Sequence, residues 1–121
     1  MAEMTVIVEY ETLEGAEPEF IRVITEHAQR TLQEEDGCLR FEVIKPVDKD
    51  GAQIPNMVMV DELYADQAAL EAHNLNPRIE SLRSRIGPLL KSRRLVVAKS
   101  LAERRVDHGI PPTELSAAND D

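Results

Sequence analysis

Four short segments with a majority of apolar residues predict β-strands, in which successive side chains point to opposite faces. The segments are residues 5–11, 38–44, 57–64 and 94–99. The first and third each place a row of side chains on one face: Val6, Val8 and Tyr10, and Val58, Val60, Glu62 and Tyr64. In the second, the alternation assigns Cys38, Arg40, Glu42 and Ile44 to one face and Leu39, Phe41 and Val43 to the other. The third and fourth segments are apolar on both faces, so both of their faces are expected to be covered.

A period near 3.6 residues predicts a first helix between the first two strands. Gly15 ends the first strand, and Pro18 suits the first turn of a helix because its missing N–H needs no partner there. Gly37 marks the C-terminal end of this helix. The predicted apolar stripe of this helix contains Phe20, Val23, Ile24, His27, Ala28, Thr31 and Leu32.

A second helical region follows the third strand. Asp66 is a suitable N-cap for a helix that holds Leu70 and His73. Residues 74–77 interrupt this helix, and a further helix is predicted over residues 78–86, where Ile79, Leu82 and Ile86 recur at helical spacing.

The order of these elements, β-α-β-β-α-β, predicts an α+β domain with a ferredoxin-like fold, in which a four-stranded antiparallel sheet carries its helices on one face. The domain is expected to span residues 1–101, with residues 102–121 as a C-terminal arm or partly disordered tail. Because the helices cover one sheet face, the other apolar face needs a partner, and a second copy stacked sheet to sheet provides one. The sequence therefore predicts a symmetric homodimer.

Charge and composition narrow the class of partner. The 121 residues fit one domain, and the net charge of −9 disfavours nucleic acid and anionic membranes, which both require a clustered positive surface. No apolar run approaches the roughly 20 residues of a membrane span. The N-terminus lacks the basic start and apolar run of a signal peptide, so a cytoplasmic location is expected. Cys38 is the only cysteine and cannot form an intramolecular disulfide, and the chain has no Trp.

The third strand and the helix after it bring chemically active side chains together. Glu62 and Tyr64 share one strand face, and His73 shares the apolar stripe of Leu70 on the helix. His27 lies on the stripe of the first helix. An imidazole can take a phenolic or enolic proton near neutral pH, and burial of Glu62 would raise its pKa toward that of a general base. Each of the four also has a structural alternative, as a core histidine, a hydrogen-bond partner in the sheet or ordinary packing.

Two further features leave alternatives open. Asn76 can bind a ligand oxygen or form the turn before Pro77, and Arg78 can pair with an anionic substrate or lie on a solvated face. A local basic cluster is either a phosphate site or a surface paired with acids, and no Gly-rich loop accompanies it. Its members are Arg83, Arg85, Lys91, Arg93 and Arg94.

Three stretches make the chain resemble the antibiotic biosynthesis monooxygenase family. They are the acidic turn and strand of residues 33–43, Glu62-Leu63-Tyr64 at a strand end, and residues 69–77, where a helix ends in Ala-His and Asn-Pro follows. The resemblance implies a dimeric α+β barrel and oxidation of quinols or anthrones by O2 without metal, flavin or haem. Neither a cofactor nor a metal site is therefore expected.

Details of these stretches point to one branch of the family. Tyr64, where many members have Trp, and the opening of the first helix at Glu19-Phe20-Ile21 are more similar to the branch that includes the autoinducer-2 degradation isomerase. Asn76 and Arg78 replace the Ser or Thr and the His that often flank the Pro. These departures leave the substrate open.

The side-chain chemistry and the resemblance together give a candidate site of seven residues. His73 would take a proton from a small phenolic or quinol substrate, with Glu62, Tyr64 and His27 shaping and polarising the pocket. Phe41, Asn76 and Arg78 would contact the substrate. Two alternatives remain, namely an isomerase of a small keto sugar, with or without a phosphate, and a non-catalytic dimer that binds a small molecule.

Overall fold

Four strands and three helices follow in the predicted order in the computed structural model, which describes residues 2–102. The elements are β1 Met4–Thr12, α1 Glu17–Glu34, β2 Cys38–Ile44, β3 Met57–Tyr64, α2 Gln67–Leu75, α3 Pro77–Ile86, a single 3-10 turn Gly87–Leu89, and β4 Leu90–Lys99. The predicted C-terminal tail lies outside the described residues apart from Ala102.

The strands form one antiparallel sheet in the order β2-β3-β1-β4. This is the strand order of the ferredoxin-like α+β fold, so the predicted fold class is confirmed. β4 begins four residues earlier than the sequence predicts, because Leu90 already pairs with Thr12 of β1. The polar side chains of residues 91–93 concealed this part of the strand from a pattern based on hydrophobicity.

The inner face of the sheet, toward the helices, holds the core. Val6, Val8 and Tyr10 of β1 are buried there opposite Glu62, Val60 and Val58 of β3. On α1 the predicted stripe is buried except for Leu32, which is 45% exposed. Ala28 and Thr31 form the edge of the buried stripe, and Leu32 lies beyond that edge, so its assignment to the core was wrong.

A bulge corrects the predicted faces of β2. Cys38 pairs with Tyr64 and Arg40 pairs with Leu63, so Leu39 is the extra residue on β2. Because the bulge shifts the alternation by one position, Cys38 lies on the same inner face as Phe41, not on the face of Arg40. Both Cys38 and Phe41 are buried.

Local contacts fix the helices against the sheet. The Asp66 carboxylate accepts a hydrogen bond from the Ala69 N–H at 2.8 Å and caps α2 as predicted. The Asn76 side chain accepts one from the Arg78 N–H at 2.9 Å and caps α3. A Cβ on Gly37 would lie 2.5 Å from the Cβ of Ala69, so only glycine permits this approach of α2 to the turn before β2.

The outer face of the sheet carries both apolar groups and ion pairs. Arg94 contacts Glu9 at 3.2 Å, and Arg40 contacts Asp61 at 3.2 Å, among half-buried methionines of β3. β4 is exposed along nearly its whole length, and Val96 on its outer face is 39% exposed. The predicted homodimer through this face stays a prediction. No helix within residues 2–102 has the length and apolar character needed to cross a membrane.

Candidate active site

A cavity of about 120 Å³ lies between the inner face of the sheet and the three helices. Several of the predicted site residues line it, together with a mostly aliphatic wall. The polar and aromatic residues of its lining are Tyr10, His27, Phe41, Glu62, His73, Asn74, Arg83 and Arg93. An apolar cleft with a few convergent polar groups is the usual form of a small-molecule site. The volume is close to that of a cavity for a single ring, and the cleft is bordered by the exposed residues of β4, so a larger ligand can extend beyond it.

Glu62 and Tyr64 are neighbours on the inner face of β3 and are tied to each other. The Tyr64 hydroxyl donates a hydrogen bond to Oε1 of Glu62 at 2.5 Å, and both side chains are buried. Burial raises the pKa of Glu62 to about 7; the Tyr64 hydrogen bond opposes the rise and the nearby Glu35 charge adds to it. A carboxyl that titrates near neutrality and faces a cavity is poised for proton transfer.

His73 on α2 faces the cavity between two carboxyl groups. Its Nδ1 lies 2.9 Å from Oε1 of Glu35, and its Nε2 lies 3.9 Å from Oε1 of Glu62. Burial lowers the pKa of His73, while the hydrogen bond to Glu35 opposes that shift. A carboxylate that is ion-paired can only accept, so we assign the imidazole proton to Nδ1. The lone pair of Nε2 then points toward Glu62 and the cavity.

Glu35 is in turn held by Arg78. Nη2 of Arg78 lies 2.6 Å from Oε2 of Glu35, and Nη1 donates to the Thr31 hydroxyl at 3.2 Å. The Arg78 side chain is only 13% exposed, and that of Glu35 is 15% exposed. The pair therefore fixes the orientation of His73 from behind, in the way that a buried carboxylate orients a catalytic histidine.

His27 contacts His73 and Phe41 through its ring. The ring centroids lie 5.7 Å from His73 and 5.5 Å from Phe41, the latter in an edge-to-face arrangement. Burial, followed by the repulsion of a charge on His73 and by Arg78, lowers the pKa of His27 to about 4. His27 is therefore neutral at physiological pH and contributes shape and a polar edge rather than charge.

The structure brings five of the seven predicted residues together: His27, Phe41, Glu62, Tyr64 and His73. Tyr64 stands behind the cavity wall, where its hydroxyl is committed to Glu62. Asn76 and Arg78 do not line the cavity. Their side chains are engaged in the cap of α3 and in the contact with Glu35, so they support the site from outside it.

Sequence reasoning missed two residues. Glu35 was read only as part of an acidic turn, because its contact with His73 spans 38 residues of sequence. Tyr10 lines the cavity, and within residues 2–102 its hydroxyl has no hydrogen-bond partner. Burial and the Glu62 charge raise the pKa of Tyr10, so its hydroxyl keeps its proton and can donate to a ligand. The sequence pattern already placed Tyr10 on the same strand face as Val6 and Val8, and this shared face could have indicated its position at the cavity.

Other groups near the site are chemically quiet. Burial raises the pKa of the Cys38 thiol to about 11, which keeps it protonated. Among residues 2–102 no cluster of three His, Cys, Asp or Glu side chains is arranged to hold a metal ion. The arrangement offers instead a proton acceptor at Nε2 of His73, a near-neutral carboxyl at Glu62 and a phenol donor at Tyr10.

Comparison with solved structures places the fold among known proteins. Rv0793 from Mycobacterium tuberculosis shares 22% identity with a TM-score of 0.70, covering 85% of this chain and 99% of that protein. SO0527 from Shewanella oneidensis shares 22% identity with a TM-score of 0.69, over 82% and 91%. SnoaB from Streptomyces nogalater, a cofactor-independent oxygenase, shares 16% identity with a TM-score of 0.67, over 84% and 95%. At these identities the likeness concerns the fold alone.

Comparison of the sequence with family models is more decisive. No curated protein matches the sequence significantly. The model of the antibiotic biosynthesis monooxygenase family matches residues 4–83, which contain every element from β1 to most of α3 and all seven predicted site residues. The match supports a small-molecule-binding function of the monooxygenase type. Since it covers more than half of its length, the chain belongs to the antibiotic biosynthesis monooxygenase family.

Proposed function

We propose that the protein is a cofactor-independent monooxygenase that oxidises a small phenolic or quinol substrate with O2. The observation that carries the proposal is the arrangement of His73, whose Nδ1 is held by Glu35 and whose Nε2 faces Glu62 across the edge of the cavity. A base with one nitrogen fixed and the other directed at a small-molecule cavity suits removal of a phenolic proton.

In the first step, Nε2 of His73 takes the proton of the substrate hydroxyl. The imidazolium then lies between the carboxyl groups of Glu35 and Glu62, which stabilise its charge. The substrate is left as an electron-rich anion, and this anion transfers an electron to O2 directly, so that the protein need not supply a redox group.

This transfer leaves a substrate radical and superoxide. The two combine, which forms a carbon–oxygen bond and, after protonation, a hydroperoxide. Loss of the ring proton and cleavage of the O–O bond then leave a carbonyl on the substrate and release the second oxygen atom as water. For 1,4-dihydroxynaphthalene the balance is one quinol and one O2 to one 2-hydroxy-1,4-naphthoquinone and one H2O. Glu62, with a pKa of about 7, can supply and accept the protons of these steps. Tyr10 donates to the substrate oxygen.

The test uses ¹⁸O2 and purified protein freed of metal by a chelator. Wild-type protein is expected to form hydroxynaphthoquinone with one labelled oxygen and without hydrogen peroxide, whereas spontaneous oxidation yields peroxide and no labelled hydroxyl group. His73→Ala should lower the protein-dependent rate at least about tenfold. Glu71→Ala, an exposed position on the same helix, is the matched control and should retain the rate. Absence of label across a panel of one- and two-ring quinols would refute the proposal.

An isomerase of a small keto sugar is the second candidate. The observation that favours it is the pair His73 and Glu62, two acid–base groups 3.9 Å apart that can move a proton between adjacent carbons through an enediol. Such a reaction proceeds without O2 and exchanges a carbon-bound proton with D2O, so anaerobic exchange monitored by NMR separates it from the monooxygenase. Binding of either ligand class without turnover would instead support a non-catalytic role.

We also propose that two copies associate through the outer sheet face. Exposed Val96 and Ile44 support this, since both lie on that face, Val96 beside Ile7 of β1 and Ile44 beside Met59 of β3. Sedimentation equilibrium should give twice the mass of one chain, and Val96→Glu should shift the equilibrium toward the monomer. A monomer for the wild type would contradict the proposal.

A further inference from the structure

Two arginines differ from the other arginines of the described chain. Residues 2–102 contain eight arginines, and six of them form ion pairs with carboxylates: Arg22, Arg30, Arg40, Arg78, Arg85 and Arg94. Within the same part of the chain, neither Arg83 nor Arg93 forms an ion pair or a side-chain hydrogen bond. Both line the cavity. In a chain with a net charge of −9, these two exposed guanidinium groups have no acidic partner within residues 2–102 and are available to a ligand in the cavity.

Arg83 and Arg93 are both exposed, and the periodicity of each element places them on the side of the cavity. Arg83 is four residues after Ile79 and three before Ile86, the buried residues of α3, so it shares their face. Arg93 pairs with Tyr10 across the sheet and therefore lies on the inner face, as Leu95 does.

The neighbouring arginines show the contrast. Arg85 leaves the inward face of α3 and contacts Glu26 at 3.4 Å. Arg94 lies on the outer sheet face and contacts Glu9 at 3.2 Å. Arg85 and Arg94, close in sequence to Arg83 and Arg93, are thus paired with acids, whereas the two that line the cavity have no acidic partner within the described residues.

Arg93 lies away from Glu62. Glu62 and Val97 both pair with Val6, and Arg93 is four residues before Val97. The Cα atoms of Glu62 and Arg93 are thus on the order of 15 Å apart, from two strand spacings and four residues of strand. A planar ligand of one or two rings would span much of this distance, beside the aliphatic residues of α3 and β4 that line the cavity.

We infer that the substrate carries an oxyanionic group, such as a carboxylate, which Arg83 and Arg93 bind at the end of the cavity opposite Glu62. Guanidinium groups recognise carboxylates and phosphates by paired, charge-assisted hydrogen bonds. The inference rests on the proposed function for the identity of the ring system. The anion would orient the phenolic hydroxyl toward His73 and give the site its selectivity among phenols.

The experiment compares 2-naphthoate with 2-naphthamide by isothermal titration calorimetry. The two ligands match in size and shape, and neither is oxidised. Wild-type protein is expected to bind the carboxylate at least about tenfold more tightly, with a preference that falls as salt is added. The double variant Arg83→Gln, Arg93→Gln should reduce the preference to within about threefold. The matched double variant Arg85→Gln, Arg94→Gln should keep it.

Three results would overturn the inference: equal affinity of the wild type for the two ligands, a preference that survives in the Arg83, Arg93 variant, or no binding of 2-naphthoate. Because the ligands are not substrates, the outcome is independent of turnover. A carboxylate preference without ¹⁸O incorporation would leave the anion site standing and refute the monooxygenase. ¹⁸O incorporation without a carboxylate preference would support the monooxygenase and refute the anion site.

Discussion

Replacement of Glu62 by Gln tests the electrostatics of the site without any substrate. Burial raises the pKa of Glu62 from 4.5 to about 7, so folding takes up a proton between these pH values. The wild type therefore has its full stability below pH 4.5 and loses part of it as the pH rises through about 7. The free-energy equivalent of this difference is about 3 kcal/mol, at about 1.4 kcal/mol for each pKa unit.

Glutamine is close in shape to the protonated carboxyl and has no charge to lose. Well below pH 4.5 the two proteins should thus differ by a small, fixed amount. Well above pH 7, Glu62→Gln should gain about 3 kcal/mol relative to the wild type, or roughly 10–20 °C in Tm for a domain of this size. Effects of His27 and His73 occur in both proteins and largely cancel in the comparison.

Urea denaturation followed by far-UV circular dichroism measures this difference at matched protein concentration, because the chain has no Trp for fluorescence. Tyr64→Phe is the companion variant. Loss of its hydrogen bond removes the contact that favours the carboxylate, so the pH at which stability is lost should rise. A difference between wild type and Glu62→Gln that is the same at all pH values would refute the argument that burial governs this carboxyl.

Three further predictions concern neighbouring positions. Gly37→Ala should lower the free energy of unfolding by about 1–3 kcal/mol, because its Cβ would lie 2.5 Å from that of Ala69. Gly87→Ala is the control and should change it little, since no atom lies within 4 Å of the added Cβ. Equal urea midpoints for the two variants would contradict this. Cys38 should react with a thiol reagent far more slowly in the folded protein than in urea, since burial raises its pKa to about 11, and equal rates would show that it is accessible. Glu35→Gln should lower kcat for the proposed reaction at least about tenfold with little change in KM, because Glu35 orients the base without touching the substrate. A change confined to KM would instead place Glu35 in the substrate-binding site.

The sequence predicted the sheet and its inner face well because strand alternation is a local signal. Val58, Val60, Glu62 and Tyr64 all lie buried on one face, as the period of two requires. The bulge at Leu39 was missed since one extra residue leaves no mark in the hydrophobic pattern.

The site was predictable in part for the same reason. Glu62, Tyr64 and His73 are near one another in sequence, and one turn joins their elements. The contact of Glu35 with His73 depends on how distant elements pack. The same holds for the position of Arg83 and Arg93 at the cavity, where neither has an acidic partner within residues 2–102. Only the three-dimensional arrangement distinguishes an arginine at a cavity from one at an ordinary surface.

The protonation state of the His73 imidazole decides whether His73 can act as the base, because the proposed chemistry requires a free lone pair at Nε2. A ¹⁵N–¹H correlation spectrum of protein labelled at histidine, recorded at neutral pH and assigned with His73→Ala, reports which nitrogen carries the proton. We expect a neutral ring with its proton on Nδ1, held by Glu35, and a lone pair on Nε2. A proton on Nε2, with the ring either neutral or doubly protonated, would contradict His73 as the base.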